Sequence, residues 1–148
     1  MRKELAEHNV YIDTSAIIPF YFKEIYSSES QRLFEEHSFF QISELSKIEF
    51  YSTARKKVRL GHTTESEIKK VFRIFELHLK EGVFSILNVN KPHYEAASNI
   101  IKSTENSLRS LDALHLGIAY SENLSIFSFD KVFIKTAEEF GIQTIGNY

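Results

Sequence analysis

Apolar residues along this chain fall into short runs with two rhythms, one alternating and one recurring every three or four positions. VYID at 10–13 is a β-branched and aromatic run that predicts a strand ending in an aspartate, and TSAIIPFYF after it predicts a helical or irregular segment limited by Pro19. A short helix is expected over 27–36 with Leu33 and Phe34 inward, then a strand FFQI at 39–42 that stops at Ser43, a suitable cap for another helix. That helix, over 44–60, carries Leu45, Ile48, Tyr51, Ala54 and Val58 at helical steps and closes at Gly61. Thr64 and Glu67 form a capping-box pattern ahead of Ile68, Val71, Phe72, Phe75 and Leu79, the apolar stripe of a helix of about four turns ended by Gly82. VFSIL at 83–87 predicts a strand. Asn90 with Pro92 opens a helix through Ile101, and Ser110 caps another from Leu111 to about Ser121. SIFSF at 125–129 predicts a strand, 131–140 a helix, and IQTI at 142–145, after Gly141, a last strand.

Strands separated by helices imply an α/β fold with a mainly parallel sheet covered on both faces, in which ligands gather beyond the carboxyl ends of the strands. Asp13 and Asp130 both stand at such ends. The 148 residues suit one domain, 1–148, and the 43% hydrophobic and 26% charged content is that of an ordinary folded chain. The absence of cysteine removes disulfides and thiolate zinc sites and fits a reducing compartment, with the cytoplasm as the default. MRKELAEH lacks the features of a signal peptide, and no apolar run approaches the length of a membrane span. A net charge of −2 argues against coating nucleic acid by bulk electrostatics, though not against a local basic rim around an acidic site.

Two further acids stand among apolar residues on predicted helices. Glu49 lies between Ile48 and Phe50, and Asp112 occupies the first turn of SLDALHLGIAY, where the helix dipole favours an anion. Singly, each has an ordinary role: Asp13 and Asp130 as caps, Asp112 as dipole complement, Glu49 as a boundary residue reaching water. Together they are costly, because two carboxylates 4 Å apart repel by about 4 kcal/mol at an effective dielectric near 20. A cation must offset that, and oxygen ligands without cysteine or an HExxH spacing point to Mg²⁺ or Mn²⁺ rather than zinc.

The blocks YIDTSAIIPFYFKE, ISELSKIEFYSTARKK, LRSLDALHLGIAY and IFSFDKVFIKTAEEFGI, in this order, resemble PIN-domain ribonucleases, and most of all the VapC toxins of VapBC toxin–antitoxin pairs. The resemblance runs from about residue 10 to residue 145. It implies a PIN-like three-layer α/β/α sandwich with about five strands, and a catalytic metal site lined by Asp13, Glu49, Asp112 and Asp130, with the hydroxyls of Thr14 or Ser15 and of Ser128 steadying the acids. Glu44 competes with Glu49 for one place; the family pattern, with its acid just before YSTARKK, favours Glu49. The resemblance also implies RNA as substrate, a cognate antitoxin over the acidic pocket, and a homodimer.

Arg55, Lys56, Lys57 and Arg59 form the densest basic cluster, and Lys56 lies seven residues beyond Glu49, on nearly the same helix face and about 10 Å along its axis. With Arg109 before the Asp112 helix, Arg55, Lys56 and Arg59 are the candidates for RNA contacts. His115, in DALHL, is read as a packed, hydrogen-bonded residue without a catalytic role. The aromatic residues at 20–22, 39–40, 72 and 75 are read as core. A PIN-like module that binds RNA or protein without cleaving is the main competing function. Haloacid-dehalogenase chemistry is disfavoured because Ser15 stands where its second aspartate belongs.

Overall fold

Strand β1 (Val10–Ile12) is buried at every position, so both of its faces need a covering layer. The structure is a computed structural model, which describes residues 10–37 and 40–145. The reading of residues 1–8 as no signal peptide and the predicted strand position of Phe39 therefore lie outside the described residues. After β1 come α1 (Thr14–Tyr21), α2 (Ser27–Glu36), β2 (Phe40–Ser43), α3 (Glu44–Arg59), α4 (Glu65–Lys80) and β3 (Phe84–Leu87). Beyond β3 lie α5 (Lys91–Ser103), α6 (Ser110–Ser121), β4 (Ser125–Phe127) and α7 (Lys131–Glu139).

Among the described residues four strands form one sheet, all parallel, in the order β3-β2-β1-β4. Alternation along them divides the core. Val10, Ile12, Phe40, Ile42, Phe84 and Phe127 pack with Leu33, Phe50, Val71 and Phe75 on one face, under α1 to α4. Tyr11 and Ile126 point the other way and pack with Ala97, Ile100, Leu116, Ile118, Phe133 and Ala137, under α5 to α7. This is the expected three-layer α/β/α sandwich. The chain leaves β1 on one side to build β2 and β3, then returns to place β4 on the other side. A topological switch point thus opens between β1 and β4, where open parallel sheets hold their ligands.

Several elements differ from expectation in detail. The fifth strand, at 142–145, is one parallel bridge between Ile126 and Thr144, held by Ile126 N–H to the Gln143 carbonyl and Ile145 N–H to the Ile126 carbonyl, both at 2.9 Å. Buried Ile142 docks into the second core cluster, so the segment is anchored by packing as much as by a ladder. Helix α1 continues through Pro19 to Tyr21, because Phe22 N–H reaches the Ile18 carbonyl at 3.0 Å and closes a further turn. Ser110 is the first helical residue of α6 instead of its cap, which is Arg109.

Helix α3 is turned relative to the predicted stripe. Ser46, Phe50 and Ala54 are buried, whereas Ile48 is 66% exposed. Two things set this rotation. Ser43 and Ser46 form a reciprocal capping box, and Phe50 stacks on Phe75 with ring centroids 4.0 Å apart. With Phe50 inward, Glu49 is brought beside Thr14 at the carboxyl end of β1. The predicted aromatic core is otherwise as expected for the described residues, with Phe34 stacked on Phe20 at 4.0 Å and Phe72 and Phe75 in the first cluster. Among the described residues no helix is long and apolar enough to cross a membrane.

Helix α6 is buried from Ala113 to Ala119 and lies so close to α5 that a Cβ on Gly117 would sit 2.6 Å from the His93 carbonyl oxygen and 2.8 Å from the Ala97 nitrogen. Glycine costs a helix interior about 1 kcal/mol relative to alanine, so by propensity alone Gly117→Ala would stabilise. Backbone atoms cannot give way as side chains do, and the substitution is expected to destabilise by about 1–3 kcal/mol. Urea unfolding checks this. A lower midpoint at an unchanged slope is the expected result, and an equal or higher midpoint would remove the close approach as the reason for glycine.

Candidate active site

The carboxyl ends of β1 and β4 bring Asp13 and Ser128 together across the switch point. Asp13 follows β1 in the N-cap position of α1, yet its side chain makes no capping bond. Its Oδ2 instead accepts from Ser15 Oγ at 2.7 Å and Ser128 Oγ at 2.8 Å, and the residue is only 6% exposed. The hydroxyls are themselves fixed: Ser15 Oγ accepts from Phe129 N–H at 3.1 Å and Ser128 Oγ from Asp130 N–H at 3.0 Å. Both predicted supporting serines therefore hold Asp13. Asp130 caps α7 through Oδ1, which accepts from Val132 and Phe133 N–H at 3.0 and 3.1 Å. Its ordinary capping role and its place in the cleft coexist.

Asp112 opens the first turn of α6, with Arg109 Nε 3.4 Å from its Oδ2. Its carboxyl is pushed above the usual carboxylate range, by burial first and by the nearby Asp13 charge next, with Arg109 opposing and Asp130 adding to the rise. Glu49, from α3, has its bonds on Oε1, which accepts from Thr14 Oγ1 at 3.2 Å and meets the Nε2 of His115. Thr14 thus steadies Glu49 while Ser15 steadies Asp13, and both hydroxyls of the alternative left open in the sequence are used.

All four acids line one cleft of about 860 Å³, together with Thr14 and Ser15. Glu44 does not line it and instead lies 3.4 Å from Lys47, in an ion pair on the first turn of α3. Of the basic candidates, Lys56 and Arg109 line the cleft and Arg55 and Arg59 do not. Arg55 is paired with Glu65 at 2.7 Å across the α3–α4 connection. Lys57 reaches the cleft but is engaged by Glu24. Leu45, Ile48, Leu60 and Leu111 add an apolar rim that the predicted core stripe had partly turned inward.

His115 is packed and hydrogen-bonded as expected, with no exposed surface, but its partners were not legible in the sequence. Nε2 bonds to the Glu49 carboxylate, an acceptor, so Nε2 carries a proton. Nδ1 meets the hydroxyl of Tyr11, which also lies 3.0 Å from Ser43 Oγ. Burial opposes the charged ring, but the Tyr11 oxygen, the Glu49 hydrogen bond and charge, and Asp13 outweigh it and raise the imidazole to about 10. The one clue in the sequence was Tyr11 itself, since a tyrosine in a doubly covered strand needs a partner for its hydroxyl.

Among the described residues the hydrogen bonds of each acid fall on a single oxygen: Oδ2 of Asp13, Oε1 of Glu49, Oδ2 of Asp112 and Oδ1 of Asp130. This all-oxygen donor set, with Asp13 and Asp130 acting on Asp112 as like charges, fits a hard divalent cation in its chemistry. It is an open lining and not a closed cage: among the described residues no three histidine, aspartate or glutamate side chains are already gathered tightly enough to hold a metal ion.

Comparison with known proteins agrees with this architecture. Solved structures with similar folds include Mycobacterium tuberculosis VapC20, described as a toxin that cleaves the sarcin–ricin loop, at a TM-score of 0.66, 14% identity, and coverage of 85% of this chain and 93% of that one. A toxin–antitoxin complex from Klebsiella pneumoniae aligns with a TM-score of 0.62 and 19% identity over 84% of this chain and 89% of that one. FitAcB from Neisseria gonorrhoeae gives 0.67 and 12% over 93% and 96%. At these identities the likeness establishes the fold. A search among curated protein sequences finds no match. The PIN domain family model matches residues 10–139, and the chain belongs to the PIN domain family.

Proposed function

We propose that this chain is a Mg²⁺- or Mn²⁺-dependent endoribonuclease, a hydrolase of RNA phosphodiester bonds, acting as the toxin of a toxin–antitoxin pair. The observation that carries the reading is the convergence of Asp13, Glu49, Asp112 and Asp130, remote in sequence, on one cleft with one oxygen of each kept out of the local hydrogen bonds. The family supports a nuclease, and the descriptions of the Mycobacterium and Klebsiella proteins support RNA as substrate and an antitoxin as partner.

A divalent cation bound by these acids supplies activation of water and stabilisation of the charge that develops on the phosphodiester. Asp13, held by two serines, and Asp112 are its principal ligands, with Glu49 and Asp130 completing the set directly or through water. One of the carboxylates also orients the attacking water. Lys56 and Arg109, at the margin of the cleft, hold the phosphate backbone of the substrate. An antitoxin segment covering the cleft buries the apolar side chains of Ile48, Leu60 and Leu111, of which Ile48 is the most exposed. Homodimerisation belongs to the same reading and is checked by light scattering; the antitoxin is checked by co-purification with the product of the neighbouring open reading frame. The same cleft, with Lys56 and Arg109 in its lining, also suits a second reading, a PIN module that binds RNA without cutting it. Cleavage of an RNA panel with and without Mg²⁺, set beside simple binding, separates the two.

Asp13→Asn and Asp112→Asn are each expected to reduce Mg²⁺-dependent cleavage about a hundredfold or more, about 2.7 kcal/mol of transition-state stabilisation, with unchanged circular dichroism. Sequencing RNA ends after induced expression, with Asp13→Asn as control, identifies the RNA that is cut. Native rates in both variants would refute the assignment. Lys56→Ala is expected to weaken RNA binding and to lower the slope of log affinity against log salt by about 0.7, the value for one single-strand phosphate contact, whereas Arg55→Ala leaves that slope unchanged. Equal slopes in both variants would remove Lys56 from the substrate path.

A further inference from the structure

Glu49 differs from the other three acids in where it starts. Asp13, Asp112 and Asp130 lie at a strand end or in the first turn of a helix, close to backbone that is fixed by the sheet and its caps. Glu49 stands in the second turn of α3 on a longer side chain, and left to itself it would sample several rotamers. Its Oε1 is instead met by two side chains, Thr14 Oγ1 and His115 Nε2.

His115 is suited to that task and to little else. With no exposed surface it cannot touch a substrate. Both of its ring nitrogens are bonded to side chains, one to the cleft carboxylate of Glu49 and the other to Tyr11. Tyr11 continues the chain to Ser43 Oγ at 3.0 Å and lies 3.3 Å from Ser46 Oγ, and these two serines are the capping box of α3. Ser46 and Glu49 are three residues apart on that helix, on one face. The bonds therefore close a circuit: α3 cap, Tyr11 of β1, His115 of α6, and back to Glu49 one turn along α3. His115 is likewise three residues after Asp112, so one helix provides a carboxylate to the cleft and the donor that orients another. A histidine serving only the core would need no bond to a group lining the cleft.

We propose that His115 is a positioning residue that fixes Glu49 Oε1 and thereby sets how tightly the acidic cleft binds a divalent cation. The proposal rests on the metal-dependent reading of the cleft given above. Partners that orient metal ligands change metal affinity by about ten- to a hundredfold when removed. The probe is Mn²⁺ alone, titrated by calorimetry into the RNA-free protein. His115→Leu is expected to bind Mn²⁺ at least about tenfold more weakly than the parent. His115→Gln, whose amide nitrogen falls near the position of Nε2 and still donates to Glu49, is expected to recover most of that loss. In cleavage assays the leucine variant should be rescued by raising Mn²⁺, and the glutamine variant should need less of it.

Parent-like Mn²⁺ affinity in His115→Leu, or a glutamine variant as impaired as the leucine one, would overturn the proposal while leaving the reading of the cleft intact. A parent that binds no Mn²⁺ overturns both. If His115→Leu fails to fold, Tyr11→Phe takes its place: it removes only the group behind the ring, and Mn²⁺ affinity should fall severalfold with circular dichroism unchanged. Unchanged affinity in that variant would equally overturn the role assigned to His115.

Discussion

The bond between Asp13 and Ser128 is the contact on which the site depends. A carboxylate at the end of a fully buried strand has lost most of its water, and an unpaired charge there costs several kcal/mol. Two hydroxyls on Oδ2 return part of that hydration, and one of them comes from a segment 115 residues away in sequence. Such a bond forms only when β4 lies beside β1 in the register that pairs Ile12 with Phe127, which also brings Asp13 N–H to the Phe127 carbonyl at 2.9 Å. Sheet topology and carboxylate placement are thus one constraint: the strand order that creates the switch point also supplies the donors that make an acid tolerable inside it.

The other acids repeat this economy with local means. Asp130 satisfies two orphan amides of α7, Asp112 lies at the positive end of α6, and Glu49 is held by a hydroxyl and an imidazole. Among the described residues the fixing contacts of each acid occupy one oxygen. The folded chain therefore positions its acids and leaves Asp112 exposed to the like charges of Asp13 and Asp130.

Much of this was legible in the sequence, for reasons that differ by element. The strand-end acids Asp13 and Asp130 could be placed because a polar residue that ends an apolar run has one natural location. Of the predicted α3 stripe Leu45, Tyr51 and Ala54 pack inward and Ile48 does not, because 45/48/51/54 and 46/50/54 are both good helical series sharing Ala54; the choice between them is made by the Phe50–Phe75 stack, a tertiary contact. The rotation that exposes Ile48 is the rotation that brings Glu49 and Lys56 into the cleft. The fifth strand was over-read because IQTI has strand propensity, whereas pairing depends on a ladder that here has one rung. Arg55 was grouped with Lys56 by adjacency, but neighbours on a helix diverge by about 100° and Arg55 points to Glu65.

The placement of α6 shows why site and core cannot be varied separately. Its buried span from Ala113 to Ala119 begins one residue after Asp112 and contains His115, so any shift of the helix moves a cleft acid and the imidazole bonded to Glu49 together. Gly117 permits α5 to press against the far side of the same helix at backbone contact distance. Close packing of this kind has little slack: a side-chain-sized spacer would displace the helix instead of merely filling a void. The apolar contacts behind α6 do for the geometry of the cleft what the serines do for Asp13. They remove alternative positions, so that Asp112 and the imidazole bonded to Glu49 keep their places at the cleft.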